Sequence, residues 1–385
     1  MTQTAPAKVG DATTANVFMT VLTRGPIARS EIAHRLGLSA GTITRSAKPL
    51  IEAGYLVEDA AGDVTRPGRP TVPLKVVPER EFVIGIKLAG DHCVGVVVDL
   101  LANVRATREV AISTTSVDAV VTAVAGLVGQ LRLAVDGPIT RLGLGLGGHV
   151  DTRVGTVRYA PFLDWRDVPL AKILSGATGL PVVIENDVNA LTVAEQWFGA
   201  GLDVPSFAVV TIGAGVGCGL VVNGALVHGA VGLAGELGHV PLDPAGPMCR
   251  CGNTGCVEAR SADTAILRQV AADTGRQDLD ILAAAELARH GDAAAVAAFE
   301  AAGNWLGRAL ATVANLVNPD RIILSGEGLA ASDLFESAAR QSFYTHAYGQ
   351  AADCDLLIRP LPEHTWARGA AAVAIQHLFL TAPTR

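Results

Sequence analysis

The stretch GHVPLDPAGPMCRCGNTGCVEAR, Gly238 to Arg260, places Cys249, Cys251 and Cys256 within eight residues, behind a single histidine, His239. Thiols this close form a redox pair, belong to a disulfide framework, or hold a metal. Only six cysteines serve 385 residues, and the first eighteen residues have neither the basic nor the apolar segment of a secretory signal. The chain therefore reads as a cytoplasmic protein of a reducing compartment, where a disulfide framework does not persist. Cys-x-Cys-x4-Cys behind a histidine then favours structural zinc over a redox pair or a chance cluster of buried thiols, because thiolates and imidazole close a tetrahedral site. His239 is the fourth ligand in that reading, and Gly252 and Gly255 let the backbone fold back so that the sulfurs converge. Cys93, Cys218 and Cys354 lie in apolar runs and read as core residues.

Charge divides the chain. Residues 1–80 hold ten Lys/Arg against seven Asp/Glu, whereas residues 81–385 hold twenty against thirty, so only the first segment suits a polyanion. Its helical periodicity is legible. Val17, Val21 and Leu22 share one apolar face, Ser30 can cap a second helix carrying Ile32, Ala33 and Leu36, and LGLSAGTITRSAKPL supplies a turn at Gly37 and a new cap at Ser39. This is a helix-turn-helix pattern. In the third helix Ile43, Ala47, Leu50 and Ile51 recur at core spacing, which leaves Thr42, Arg45, Ser46 and Lys48 outward. With Ser39 and Thr44, these are groups for a DNA groove and its phosphates. Pro49 removes an amide donor, so a kink or break is expected there.

After that helix, GYLVEDAAGDVTRPGRPTVPLKVV alternates apolar residues around turn residues, as a two-stranded wing does, with Arg66 and Arg69 near its tip. Guanidinium groups on an extended Arg-Pro-Gly-Arg-Pro run suit a narrow minor groove; a solvated Pro-rich linker is the alternative for these two arginines.

From Glu81 the texture changes to apolar strands broken by glycines. EFVIGIKLAGDHCVGVVVDLLANVRA reads as a strand hairpin, TRLGLGLGG as a third strand, and PVVIENDVNALTVAEQWFG as a strand entering a helix at Glu185-Asn186-Asp187. FAVVTIGAGVGCGLVVNGALVHG is another hairpin, in which Asn223-Gly224 favours a type I′ turn. Helical periods run from about Ser261 to Asn318, and RIILSGEG is a late strand ending in a glycine turn. The most apolar helical run, Val117 to Val135, is broken by Asp118, Gln130 and Arg132, so no membrane span is expected. Two halves that each open on a glycine-turned hairpin predict a duplicated α/β nucleotide fold with an interdomain cleft.

These residues resemble the repressor, open reading frame and kinase (ROK) family over nearly the whole chain. The resemblance rests on TIGAGVGCGLVVNGALVHGAVGLAGELGHV, CRCGNTGCVEAR and ENDVNA, and on the N-terminal winged helix of the regulator branch, that of xylose and N-acetylglucosamine repressors. It implies an actin/hexokinase-like (ribonuclease H-like) body behind the winged helix. The divisions it implies are a winged helix over 1–80, a first α/β subdomain over 81–195 rejoined by a helix at about 364–380, and a second with the zinc loop over 196–363. It also implies zinc on His239, Cys249, Cys251 and Cys256. Sugar would be held by Asn186, Asp187, Glu236, His239 and Glu258, with His239 using one ring nitrogen for each partner. Fixed carboxylates and amides are independently suited to sugar hydroxyls, pairing donors and acceptors at once.

In the family's kinases Asp187 would be the general base, and glycine loops would hold ATP phosphates. The second loop survives as TIGAGVG, Thr211 to Gly217. Where the kinases resemble Asp-x-Gly-Gly-Thr, this chain has Lys87-Leu88-Ala89-Gly90-Asp91, which puts an acid where a phosphate would sit. LSGEGL also sets Glu327 among its glycines. The expectation is a sugar-responsive transcriptional regulator, a repressor, that binds operator DNA as a dimer or tetramer, keeps zinc and has no use for ATP. Asp187 would be a vestige of the catalytic base, with no catalysis expected. The alternative is an active sugar kinase carrying a DNA-binding segment.

Overall fold

The computed structural model describes residues 11–59, 72–362 and 364–379. Contacts divide the chain into two compact units, Met1–Leu202 with His364–Arg385, and Asp203–Glu363.

The first unit opens with helices α1 (Ala12–Arg24), α2 (Arg29–Leu36) and α3 (Ala40–Glu52), followed by the antiparallel strands β1 (Leu56–Glu58) and β2 (Leu74–Val76). Asp11 caps α1 by accepting from Thr14 N at 2.7 Å, and Ser39 caps α3 by accepting from Thr42 N at 3.1 Å. Between α2 and α3, Gly37 takes φ +64°, the left-handed turn conformation glycine tolerates best. Three sequence expectations are corrected here. The α2 cap position is Ala28, without a side-chain hydrogen bond, so Ser30 falls inside the first turn. Ser46 is buried with Ile43, Ala47 and Leu50, because the apolar stripe of α3 is wide enough to take it in. Pro49 does not break α3, which continues to Glu52; Arg45 and Pro49 both face solvent, so the carbonyl freed at Arg45 can bind water. Arg66 and Arg69 lie outside the described residues.

The body of this unit adds β3 (Phe82–Leu88), β4 (His92–Val98), β5 (Val104–Ala111), α4 (Val117–Arg132), β6 (Ile139–Leu146), a small sheet of β7 (His149–Asp151), β8 (Thr156–Ala160) and β9 (Trp165–Val168), then α5 (Leu170–Thr178), β10 (Val182–Asn186) and α6 (Asp187–Phe198). The main sheet runs β10-β6-β3-β4-β5, with β3 antiparallel to β4 and parallel to β6.

The second unit holds β11 (Phe207–Ile212), β12 (Val216–Val222), β13 (Ala225–Leu226), α7 (Val257–Ser261), α8 (Asp263–Thr274), α9 (Ile281–Arg289), α10 (Ala293–Val317), β14 (Arg321–Ser325), α11 (Ser332–His346) and β15 (Asp355–Ile358). Its sheet runs β13-β12-β11-β14-β15, again with an antiparallel hairpin on one side of the first strand and a parallel strand on the other. The same strand order appears twice, the duplication expected from two glycine-turned hairpins. Asn223 and Gly224, at φ +51° and +77°, make the tight turn joining β12 to β13.

The last helix, α12 (Thr365–Phe379), belongs to the first unit and lies against its sheet. A Cβ at Gly85 of β3 would sit 2.1 Å from Ala367 O, and one at Gly143 of β6 would sit 2.0 Å from Ala370 O, so only glycine admits this approach. The opposite face of that sheet buries Ile84, Ile86 and Leu88 with Val120, Val124 and Leu127 of α4.

Candidate functional site

In the first unit, Asn186 and Asp187 stand where β10 passes into α6. Asn186 Oδ1 accepts from Val188 N at 3.0 Å and Asn189 N at 3.1 Å, capping α6, while Nδ2 donates to Gly148 O at 3.1 Å. The preceding Glu185 is buried, with Oε1 accepting from Asn186 N at 2.8 Å and Oε2 from Thr152 Oγ1 at 3.0 Å. Asp187 is ion-paired with Lys87 of β3. The Lys87 ammonium also lies 4.9 Å from the ring centroid of Trp366, in the first turn of α12. The replacement at Lys87 is thus more than a missing acid: the lysine occupies the carboxylate of Asp187 directly. At the turn after β3, Asp91 Oδ1 is 2.6 Å from His92 Nδ1.

In the second unit the cysteine loop brings Cys249, Cys251 and Cys256 together with His239. His239 Nδ1 is 3.6 Å from Cys249 Sγ, Cys251 Sγ is 3.7 Å from Cys256 Sγ, and the four ligand atoms lie within 4.8 Å of one another. Zinc bonds of about 2.3 Å in a tetrahedron set sulfurs roughly 3.8 Å apart, so this donor set fits such an ion. Gly255 takes φ +69°, and a Cβ there would come within 1.6 Å of Asp243 O, which makes glycine obligatory at the fold-back. Burial, then hydrogen bonding to Cys251 and Cys249, pushes the Cys256 thiol up to about 12. Three thiols so placed do not all ionise unaided, and a cation would supply what they lack.

Beside this loop, Glu258 Oε2 accepts from Val216 N of the glycine loop at 3.3 Å, and Oε1 pairs with Arg250 Nε at 3.0 Å. A Cβ at Gly213 would lie 3.2 Å from Glu327 Oε2, and one at Gly215 would lie 2.8 Å from Glu258 Oε2. Two carboxylates therefore border the loop that in a kinase cradles phosphate. Half-buried Asp263 donates its amide to Gly213 O at 2.9 Å; desolvation and then the Glu327 charge raise its carboxyl above the usual range. Glu236 is exposed. Of the five expected sugar ligands, Asn186 and Asp187 stand in the first unit and Glu236, His239 and Glu258 in the second.

On α3, Thr44, Arg45 and Lys48 are exposed and Thr42 is half-buried. Ser39 is committed to its cap, Thr44 Oγ1 donates to Ala40 O at 3.0 Å, and Lys48 pairs loosely with Glu52 at 3.7 Å. Arg250, Trp366 and Phe379 were not singled out from sequence. Arg250 sits inside the cysteine motif and could have been flagged; nothing local marks the partners of the other two.

A winged helix with a basic outward face, carried in one chain with two sheets of identical strand order, defines a nucleic-acid-binding segment on a duplicated, kinase-like body. The chain belongs to the ROK family, whose pattern matches residues 83–377, and a winged helix-turn-helix DNA-binding pattern matches residues 22–57. It is 26% identical over 364 residues to the xylose repressor of Bacillus subtilis (strain 168), covering 93% of this chain and 94% of that protein. The fold resembles that of a ROK family transcriptional regulator, a homologue of the E. coli MLC protein, with TM-score 0.82, 27% identity and 95% of each chain covered. A ROK family glucokinase from Streptomyces griseus, solved with glucose and AMPPNP, matches with TM-score 0.67 and 32% identity over 76% of this chain and 99% of its own.

Proposed function

We infer that the protein is a sugar-responsive, DNA-binding transcriptional repressor of carbohydrate-utilisation genes, whose body binds sugar and no longer transfers phosphate. The winged helix carries this reading. The xylose repressor and the regulator structure match the chain nearly end to end, whereas the glucokinase matches only 76% of it. Loss of phosphoryl transfer is supported by Lys87, which holds the carboxylate a general base would need, and by Glu327 beside the glycine loop, where it repels a nucleotide's phosphates.

In this reading Arg45 and Lys48 contact phosphates, Thr42 and Thr44 face the groove, Ser39 presents the helix N-terminus, and Arg66 and Arg69 enter a minor groove. Sugar-binding roles fall to Asn186 and Asp187 in the first unit and to Glu236, His239 and Glu258 in the second. Zinc on His239, Cys249, Cys251 and Cys256 fixes the imidazole, so that one ring nitrogen serves the metal and the other the sugar. A homodimer or tetramer would present two winged helices to one operator. The test is fluorescence anisotropy on DNA from the region upstream of the gene, at fixed salt, with and without D-xylose and D-glucose. A sugar-specific change in affinity that Glu236→Ala abolishes is expected, and DNA binding indifferent to both sugars would count against the sensor.

The retained TIGAGVG loop favours one second reading, an active sugar kinase with a DNA-binding segment. A coupled assay with MgATP and hexoses decides it, because turnover is expected only if Asp187 is released from Lys87.

A further inference from the structure

α12 touches the proposed sugar site at its first turn and the winged helix at its last. Trp366 underlies the Lys87 ammonium, which is paired with Asp187. Thirteen residues on, roughly 20 Å along the helix axis, Phe379 stacks on Phe18 of α1 with centroids 3.8 Å apart and 28° between planes. Phe379 also meets Tyr55 edge-on at 5.6 Å, and Tyr55 meets Phe18 at 5.9 Å. All three rings are buried, so this trio belongs at once to the winged-helix core and to the end of α12. Between its ends α12 has little freedom. Glycines at 85 and 143 bring its backbone against β3 and β6, and a Cβ at Gly369 would sit 2.9 Å from the backbone of Ala190 in α6, the helix that Asp187 begins. Close backbone contact of this kind passes a displacement on rather than absorbing it.

We propose that α12 is the element coupling effector to DNA: Trp366 and Phe379 are positioning residues that carry a change at the Lys87–Asp187 pair to α1 and through it to α3. A sugar hydroxyl that binds Asp187 competes with Lys87 for the carboxylate, shifts the ammonium on the Trp366 ring and so biases the placement of α12. This rests on the sugar-binding reading of Asp187; the trio and the close packing stand without it.

The test uses the full chain and Phe379→Leu, which keeps an apolar side chain but loses the stacked ring, alongside the more disruptive Phe379→Ala. Calorimetry measures the affinity for D-xylose and D-glucose, and anisotropy measures DNA affinity with and without sugar. Allosteric coupling of ordinary size changes affinity roughly 5- to 150-fold. Phe379→Leu is expected to keep sugar affinity and sugar-free DNA affinity within about twofold of wild type while the sugar-induced change collapses toward one. A full sugar-induced change in Phe379→Leu overturns the proposal, because a purely structural residue lowers stability without altering that ratio.

If neither sugar binds wild type, the sugar reading fails and hydrogen exchange judges the relay alone. DNA binding is then expected to alter exchange at residues 365–370 as well as in α3. Protection confined to the winged helix would overturn the relay.

Discussion

Lys87 and Asp187, a hundred residues apart in the chain, share an ion pair in which each side chain is less than one-fifth exposed. A lysine on the first strand and a carboxylate at the start of a helix thus neutralise one another where a kinase needs a free base. Lys87→Ala leaves that carboxylate partly buried without its cation and is expected to cost about 1 to 3 kcal/mol in urea unfolding. Lys87→Arg should cost less. If Lys87→Ala unfolds like wild type, the pair is ornamental and Asp187 is available for other chemistry.

The metal prediction follows from the close approach of Cys251 and Cys256. Cys251→Ser should purify without zinc, because two thiolates and one imidazole leave the tetrahedron open. Wild type should release zinc as pH falls, since protons compete for the same sulfurs. Cys218→Ser, in the core and outside the cluster, serves as the control that keeps its metal. Full zinc occupancy in Cys251→Ser would remove that residue from the ligand set.

On α3, Arg45 is exposed without an ion-pair partner within 4.0 Å among the described residues, whereas Lys48 shares its charge with Glu52. Arg45→Ala should weaken binding to specific and non-specific DNA alike and lower the salt slope by about 1. Lys48→Ala should do less. A variant that loses discrimination between sequences while keeping its salt slope would move Arg45 from the phosphates to a base.

How much of this was legible differs by element. Periodicity marked the apolar face of α1, and periodicity with the Ser39 cap marked α3, because these signals lie within a few residues of each other, and the cysteine loop was readable because its cysteines and glycines are nearly contiguous. Ser46 and Ser30 misled for one reason: a small hydroxyl gives no signal of whether its neighbours cover it, and a cap depends on where the backbone turns. The Lys87–Asp187 pair and the Phe18–Phe379 stack join positions 100 and 361 residues apart. No local pattern encodes such pairings; the strand order that brings β3 beside β6 and seats α12 on both creates them.

Glu81, at the junction of wing and body, gives a pH prediction. Its carboxylate is buried, accepts from Tyr55 OH at 3.2 Å through Oε2, and leaves Oε1 without a hydrogen-bond partner. Burial holds its pKa above the ordinary value of 4.5, against the opposing hydrogen bond from Tyr55 and the nearby charges of Arg80 and Arg141. A carboxyl raised in the folded state binds more protons there than in the unfolded chain. Its contribution to stability is therefore fully present below about pH 4.5 and is lost as pH rises through the folded pKa. Glu81→Gln removes that titration while an amide oxygen still accepts from Tyr55. The unfolding free energy of Glu81→Gln minus that of wild type should thus grow more positive from pH 4.5 upward and then level off. Urea titrations across that range measure the gap, and a gap that is flat with pH would mean that Glu81 titrates alike in both states.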